Sequence, residues 1–319
     1  MPLTERKPVI AIVLPCFNEE EVLPISIPRI LSVIDCMSDE GIASSDSFIL
    51  CCNDGSKDRT WDIIKELNKA DGRVKGISLA HNRGHQNVLL AGLLAAKDKC
   101  DAAVSIDADL QDDPDAIVEM VKAFNAGKEI VYGVRSDRST DSWFKRTSAH
   151  LFYALQRKMG VDIVYDHADF RLMSRRAIGM LGRYDERNLF LRGIIPQIGL
   201  DNAKVSYRRH PRAAGESKYP FFKMLNFSVD GITSFSAKPI RWIFTIGLIL
   251  LGLDLLVAVW VLLSYFTGHA IGGWASIMVS LWFLGSLILI SIGIVGEYIG
   301  KIFIEVKRRP RFEIADKIN

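Results

Sequence analysis

The sequence predicts the α/β class: a mostly parallel, Rossmann-type sheet flanked by helices, followed by membrane-associated helices. Three observations predict it. Short apolar runs alternate with helical patterns between residues 9 and 134, as expected for parallel strands joined by crossover helices. Polar residues cluster just after those runs, at the sheet edge where such folds bind ligands. Two apolar stretches, 242–266 and 274–296, are each long enough to cross a bilayer.

The 319 residues can hold one large domain or two modest ones, and 49% are apolar, so core material is ample. A formal charge of +3 gives no argument for a nucleic-acid partner. Its distribution says more. Residues 204–241 carry eight Lys/Arg against Glu216 and Asp230, whereas 101–115 is strongly acidic. The five cysteines (Cys16, Cys36, Cys51, Cys52, Cys100) form no CxxC pair and no metal spacing, which fits reduced packing residues. The apolar run 9–14 is too short for the core of a signal peptide.

In order, 9–14 reads as a buried strand stopped by Pro15, and the loop 15–21 leads into an amphipathic helix. A second strand, 48–52, ends in Asn53-Asp54-Gly55-Ser56, a turn and helix start combined. A helix to about residue 70 and a strand at 74–80 follow, then His81-Asn82-Arg83-Gly84-His85 and a helix over 88–96. The fourth strand, 102–106, runs into Asp107-Ala108-Asp109-Leu110-Gln111-Asp112-Asp113-Pro114, and 129–134 is a fifth strand. Asp107, Asp109 and Gln111 stand at i, i+2 and i+4, so an extended backbone aims all three one way. Convergent oxygens suit Mg²⁺ or Mn²⁺ bridging to a diphosphate. The other reading is an acidic cap for the helix after Pro114.

Four motifs recur in a known order: Pro15-x-Phe17-Asn18-Glu19-Glu20, Asn53-Asp54-Gly55-Ser56-x-Asp58-Arg59-Thr60, Asn82-Arg83-Gly84, and Asp107-Ala108-Asp109-Leu110-Gln111-Asp112-x-Pro114. With these the chain resembles the family 2 glycosyltransferases, and within them the polyprenyl-phosphate branch that includes bactoprenol glucosyltransferases and dolichol-phosphate mannose synthases. The resemblance covers the whole chain and implies a GT-A-like fold. It implies that Pro15, Phe17, Glu19, Asp54, Asn82, Gly84 and Asp107 hold a nucleotide sugar. It implies a metal on Asp107, Asp109 and Gln111. Packing is the plainer role for Phe17, and capping the following helix the plainer one for Asp54.

Beyond residue 133 the arginines suit bidentate phosphate recognition. Residues 136–142 read as a loop over the site. By resemblance Arg135, Arg146 and Ser148, with Arg212 and Lys218 further on, meet the acceptor phosphate; solvated charge is the alternative. Asp169, in Asp169-Phe170-Arg171, either serves the acceptor as base or orienter, or pairs with Arg171. Asp107 and Asp109 complete the catalytic set. Glu186-Arg187…Leu191-Arg192-Gly193 also resembles a family segment. The basic run 207–219 suits phosphates or anionic headgroups, and 221–227 has the look of an interfacial helix.

The expected domains are therefore 1–215 (nucleotide-sugar-binding, catalytic), 216–241 (juxtamembrane), 242–296 (a transmembrane hairpin of 242–266 and 274–296) and 297–319 (a basic tail). Lys238 and Arg241 precede the spans, and Lys301, Lys307, Arg308, Arg309 and Arg311 follow them, while the loop between has no Lys or Arg. Both ends are thus expected in the cytoplasm. Asp254 in mid-span should face a helix partner or a second subunit.

The resulting expectation is an inverting enzyme of a bacterial inner membrane. It moves a sugar, with UDP-glucose the leading donor and GDP-mannose behind it, onto undecaprenyl phosphate for later transfer to surface glycans such as the lipopolysaccharide O-antigen. Processive polysaccharide synthases carry Gln-x-x-Arg-Trp, but here Lys238 precedes Arg241-Trp242. A non-catalytic lipid-binding or flippase subunit is the remaining alternative, and the intact acidic motifs speak against it.

Overall fold

The computed structural model describes residues 6–135, 167–208, 238–267 and 273–319. Those up to 208, together with Arg309–Asn319, form one compact unit; residues 238–308 belong to another. The first unit is mixed α/β around an eight-stranded sheet.

Its strands are β1 (Ile10–Cys16), β2 (Phe48–Asn53), β3 (Val74–Leu79), β4 (Ala102–Ser105), β5 (Ile130–Arg135), β6 (His167–Ser174), β7 (Asn202–Tyr207) and β8 (Ile314–Ile318). The order across the sheet is β7-β5-β6-β4-β1-β2-β3-β8. The centre β4-β1-β2-β3 is parallel, as the alternation predicts. β1 and β2 are buried on nearly every residue, which is why they read as continuous apolar runs. β1 runs on through Pro15 to Cys16 rather than stopping before it. Pro15 lies past Val13, the last residue of β1 that pairs with β4, so that ladder asks no donor of it.

Helices α1 (Leu23–Asp39), α2 (Thr60–Ala70) and α4 (Ala116–Asn125) cover one sheet face. Leu23, Ile27, Ile30 and Ile34 of α1 pack with Ile10, Ile12 and Leu14 there. The other face carries α3 (His85–Ala96) and α5 (Arg175–Leu181). α3 is buried along most of its length, so its sequence is apolar all round rather than on one stripe.

Other features depart from the sequence reading. The fifth strand does not lie beside the fourth: β6 runs between them, antiparallel to both. β6 hides from an apolar count because its buried residues include Asp169 and Arg171, which pair with each other. The tail departs as well. Residues 297–307 continue a helix, and β8 adds an antiparallel edge strand to β3. Arg311 Nη1 donates to the Tyr184 carbonyl at 2.6 Å, and Trp61 Nε1 to Asp316 Oδ2 at 3.2 Å. The short alternation in 314–318 was masked by the basic residues before it. Cys36 also departs: it is exposed on α1, while the other four cysteines are buried.

The second unit holds α7 (Lys238–Phe266) and α8 (Trp274–Lys307). Among the described residues one stretch, Phe283–Lys307, is long and apolar enough to cross a membrane: its most apolar 18 residues have mean hydropathy 2.0 and none of them is buried. It extends well past the boundary at 296 expected for the second span. The Asp254 side chain, like residues 209–237, lies outside what is described.

Candidate active site

The cleft forms where loops leave β1, β2, β3 and β4 at their carboxyl ends. The loop after β1 is laced to the loop after β2 by side chain–backbone bonds. Asn18 N–H donates to Ser56 Oγ (3.0 Å), Lys57 N–H to Asn18 Oδ1 (3.0 Å), and Glu19 N–H to Thr60 Oγ1 (2.9 Å). Asp58 holds both loops, accepting from the Thr60 hydroxyl at 2.6 Å and the Glu20 N–H at 3.2 Å. Ser, Thr, Asn and Asp cluster here because their short side chains satisfy the backbone of turns.

The loop after β3 is fixed from β2. Asp54, 2% exposed, accepts from Arg83 N–H at 2.7 Å and Gly84 N–H at 2.8 Å. Its capping role is therefore directed not to the helix that follows it but to the entry of α3. Gly55 makes this approach possible. It has φ +62°, and a Cβ there would stand 2.8 Å from the Asn82 nitrogen. Gly84, with φ +85°, turns the chain into α3.

The acidic stretch divides by task. β4 ends at Ser105, and Leu110 takes a left-handed φ of 51°, so the chain is not extended through residue 111. Asp109 Oδ1 accepts the Gln111 N–H at 3.1 Å, closing a local turn. The expectation that one extended run aims Asp107, Asp109 and Gln111 together is therefore corrected. Asp107 and Asp109 line the cleft; Gln111 is not among its lining residues. Asp113 bonds the Asp115 N–H at the entry to α4. Asp112 is buried and accepts from the Tyr207 hydroxyl at 2.6 Å and Arg135 Nη2 at 3.1 Å.

The cleft has a volume of about 330 Å³. Pro15, Phe17, Glu19, Asp54, Asn82 and Gly84 line it with Asp107, Asp109 and Asp169. Phe17 is 42% exposed, so core packing is not its role. Arg135 is not in the lining and is paired with Asp112. Arg146, Ser148, Arg212 and Lys218, with the loop 136–142, lie outside the described residues.

Two basic lining residues received no role from sequence: His85 and Arg192. Both stand inside quoted motifs, and that was their only signal. Arg192, on α6 (Leu191–Gln197), sets Nε 3.2 Å from Asp169 Oδ1 and Nη2 2.9 Å from Oδ2. Arg171 bonds Oδ1 from the buried side, and His85 Nε2 lies 3.6 Å from Oδ2 and 3.8 Å from Asp107 Oδ1. Burial opposes charge on Asp169, yet Arg192, His85 and Arg171 together hold its carboxyl well below the usual range. A carboxylate so surrounded organises cations; it is poorly suited to accept a proton. The cleft walls raise Asp107 to about 6 although its side chain is 47% exposed, against the pull of His85, and Asp169, Asp112 and Asp109 add to the rise. The cleft wall disfavours charge on His85, but its bond to Asp169 and the nearby negative charges raise its pKa.

Among the described residues no three carboxylate, imidazole or thiol groups form a complete metal cage. Two carboxylates on an open wall fit a cation that draws its remaining ligands from a diphosphate and water, as Mg²⁺ does.

A family model described as glycosyl transferase family 2 matches residues 11–182. The chain is 49% identical over 312 residues to the uncharacterized glycosyltransferase YkoT of Bacillus subtilis (strain 168), covering 98% of this chain and 93% of that one. It is 40% identical to the uncharacterized glycosyltransferase YkcC of the same organism, covering 95% and 92%. It is 39% identical to the SfII prophage-derived bactoprenol glucosyl transferase of Shigella flexneri, covering 96% and 97%.

Proposed function

The chain belongs to glycosyl transferase family 2, and from that premise we propose an inverting glucosyltransferase that moves glucose from UDP-glucose to undecaprenyl phosphate. The product is a polyprenyl-phosphate sugar, made at the cytoplasmic face of a bacterial inner membrane and consumed by a later transfer to surface glycans. The observation that carries the reading is the single cleft shared by Asp54, Asp107, Asp109 and Asp169, in a chain this similar to bactoprenol glucosyl transferases.

In this reading Pro15, Phe17, Glu19, Asp54, Asn82 and Gly84 receive the nucleotide, Phe17 offering an exposed ring to the base. Asp107 and Asp109 would hold Mg²⁺ or Mn²⁺ from the cleft wall. What such a cation supplies when bound is compensation for charge developing on the leaving diphosphate. The acceptor is a phosphate monoester with a second pKa of about 6, so it is largely ionised near neutrality. No strong base is then required, which agrees with an Asp169 already committed to cations. Arg135, Arg146, Ser148, Arg212 and Lys218 are assigned to the acceptor side.

Both α7 and α8 are proposed to span the membrane, with the catalytic unit and both termini in the cytoplasm. The length and exposed apolar surface of 283–307 support the second span, and the flanking Lys and Arg support the orientation. Self-association through these helices is part of the same proposal.

The test offers purified protein, Mg²⁺ or Mn²⁺ and undecaprenyl phosphate a panel of nucleotide sugars and detects the lipid product. Glucose transfer from UDP-glucose is the expected result. Preference for GDP-mannose would change the donor, and no transfer from any donor would leave a lipid-binding role.

A further inference from the structure

α6 begins without a cap of its own: its N-cap is Phe190, whose side chain makes no capping bond. The first turn of a helix leaves backbone N–H groups without intrahelical partners. One of them, Leu191 N–H, donates instead to Gln86 Oε1 at 2.9 Å, from a residue 105 positions earlier in the chain. Gln86 is the second residue of α3, next to His85, and it does not line the cleft. The next residue of α6 is Arg192, whose guanidinium grips Asp169. The start of α3 thus sets where the start of α6 lies, and with it where Arg192 points.

Strand order gives Arg192 its setting. The loops assigned to the nucleotide leave β1, β2 and β3, on one side of β4; Asp169 comes from β6, on the other side. Asp107 and Asp109, after β4, stand between. An inverting, in-line displacement brings the acceptor in opposite the departing diphosphate, so an incoming phosphate meets the β6 side. There the guanidiniums of Arg171 and Arg192 share the carboxylate of Asp169, while the His85 ring lies between Asp169 and Asp107. Of the two guanidiniums, Arg192 is the one reached from the cleft, 32% exposed against 1% for Arg171, and a guanidinium suits phosphate geometry.

We propose that Arg192 receives the acceptor's phosphate and that Gln86, touching no substrate, is the positioning residue that aims it. The inference rests on the proposed lipid-phosphate acceptor. Gln86→Leu removes the accepting oxygen with little change of volume, and Gln86→Glu keeps one; Arg192→Lys keeps charge and removes the fork.

The test is steady-state kinetics of the full-length enzyme, varying undecaprenyl phosphate and nucleotide sugar separately, beside thermal unfolding of each variant. Loss of one hydrogen bond at the hinge of Arg192 predicts an acceptor KM raised roughly tenfold in Gln86→Leu, with donor KM within about twofold of wild type. Gln86→Glu should restore most of the acceptor KM, and Arg192→Lys should raise it as Gln86→Leu does. An unmoved acceptor KM in Gln86→Leu, or equal losses for both substrates that Gln86→Glu does not restore, overturns the inference while the functional reading stands. A wild-type enzyme that makes no polyprenyl-phosphate sugar overturns both.

Discussion

Arg192 holds Asp169 at two points, Nη2 to Oδ2 at 2.9 Å and Nε to Oδ1 at 3.2 Å. Arg171, 1% exposed, reaches the same carboxylate from the interior. Asp169→Asn keeps the shape and removes the charge that both guanidiniums need. Breaking a buried pair by neutralising one partner costs about 3–5 kcal/mol. Denaturant unfolding of the variant should show a loss of that size, and a loss below about 1 kcal/mol would mean the network contributes little.

The same residue predicts a pH dependence. Asp169 has a folded pKa well below its unfolded value, so its contribution is complete above about pH 4 and is lost as pH falls through the depressed value. The stability gap between wild type and Asp169→Asn should be greatest near pH 5, shrink below about pH 4, and narrow again as pH rises past about 6.5, where His85, whose raised pKa depends on Asp169, loses its proton. A gap that instead grew on acidification below about pH 4 would contradict the assignment.

Asp109→Ala should leave the unfolding temperature near wild type and lower turnover by roughly a hundredfold or more, the scale of losing an electrostatic group at the reacting centre. Chelation of divalent ions should have the same effect on the wild type and little on the variant. Wild-type-like turnover in Asp109→Ala would remove this carboxylate from the reaction.

Gly55→Ala would force a Cβ against the backbone of His81 and Asn82 and impose a left-handed φ on alanine. Strain of this kind costs about 1–3 kcal/mol. Because the same contact holds the loop after β3, nucleotide-sugar affinity measured by calorimetry should fall together with the unfolding temperature.

Ile318 pairs with Gly76 of β3 and packs at the margin of the core, half-buried. Ile318→Ala should cost about 1–2 kcal/mol, less than a fully buried isoleucine. Ending the chain at Arg308 should cost more, because it also removes the Trp61–Asp316 and Arg311–Tyr184 bonds and bares the β3 edge. A truncated chain with unchanged unfolding would show that β8 is dispensable to the sheet.

The amino-acid sequence by itself determined the parallel centre of the sheet and the acidic rim of the cleft. Strands buried on both faces must be continuously apolar, and turns at their carboxyl ends must be built from Asp, Asn, Gly and Ser; both constraints are local and leave local marks. Tertiary structure decided the rest. It inserted β6 where a buried Asp169–Arg171 pair conceals a strand, brought the last residues back as β8, and curled Gln111 away from the extended line of Asp107 and Asp109. It also turned Arg135 to Asp112 and set Gln86 on Leu191. The return of β8, the turn of Arg135 and the seating of Gln86 each depend on a hydrogen bond to a residue tens of positions distant, and no local pattern records which partner a polar group will find once the chain has folded.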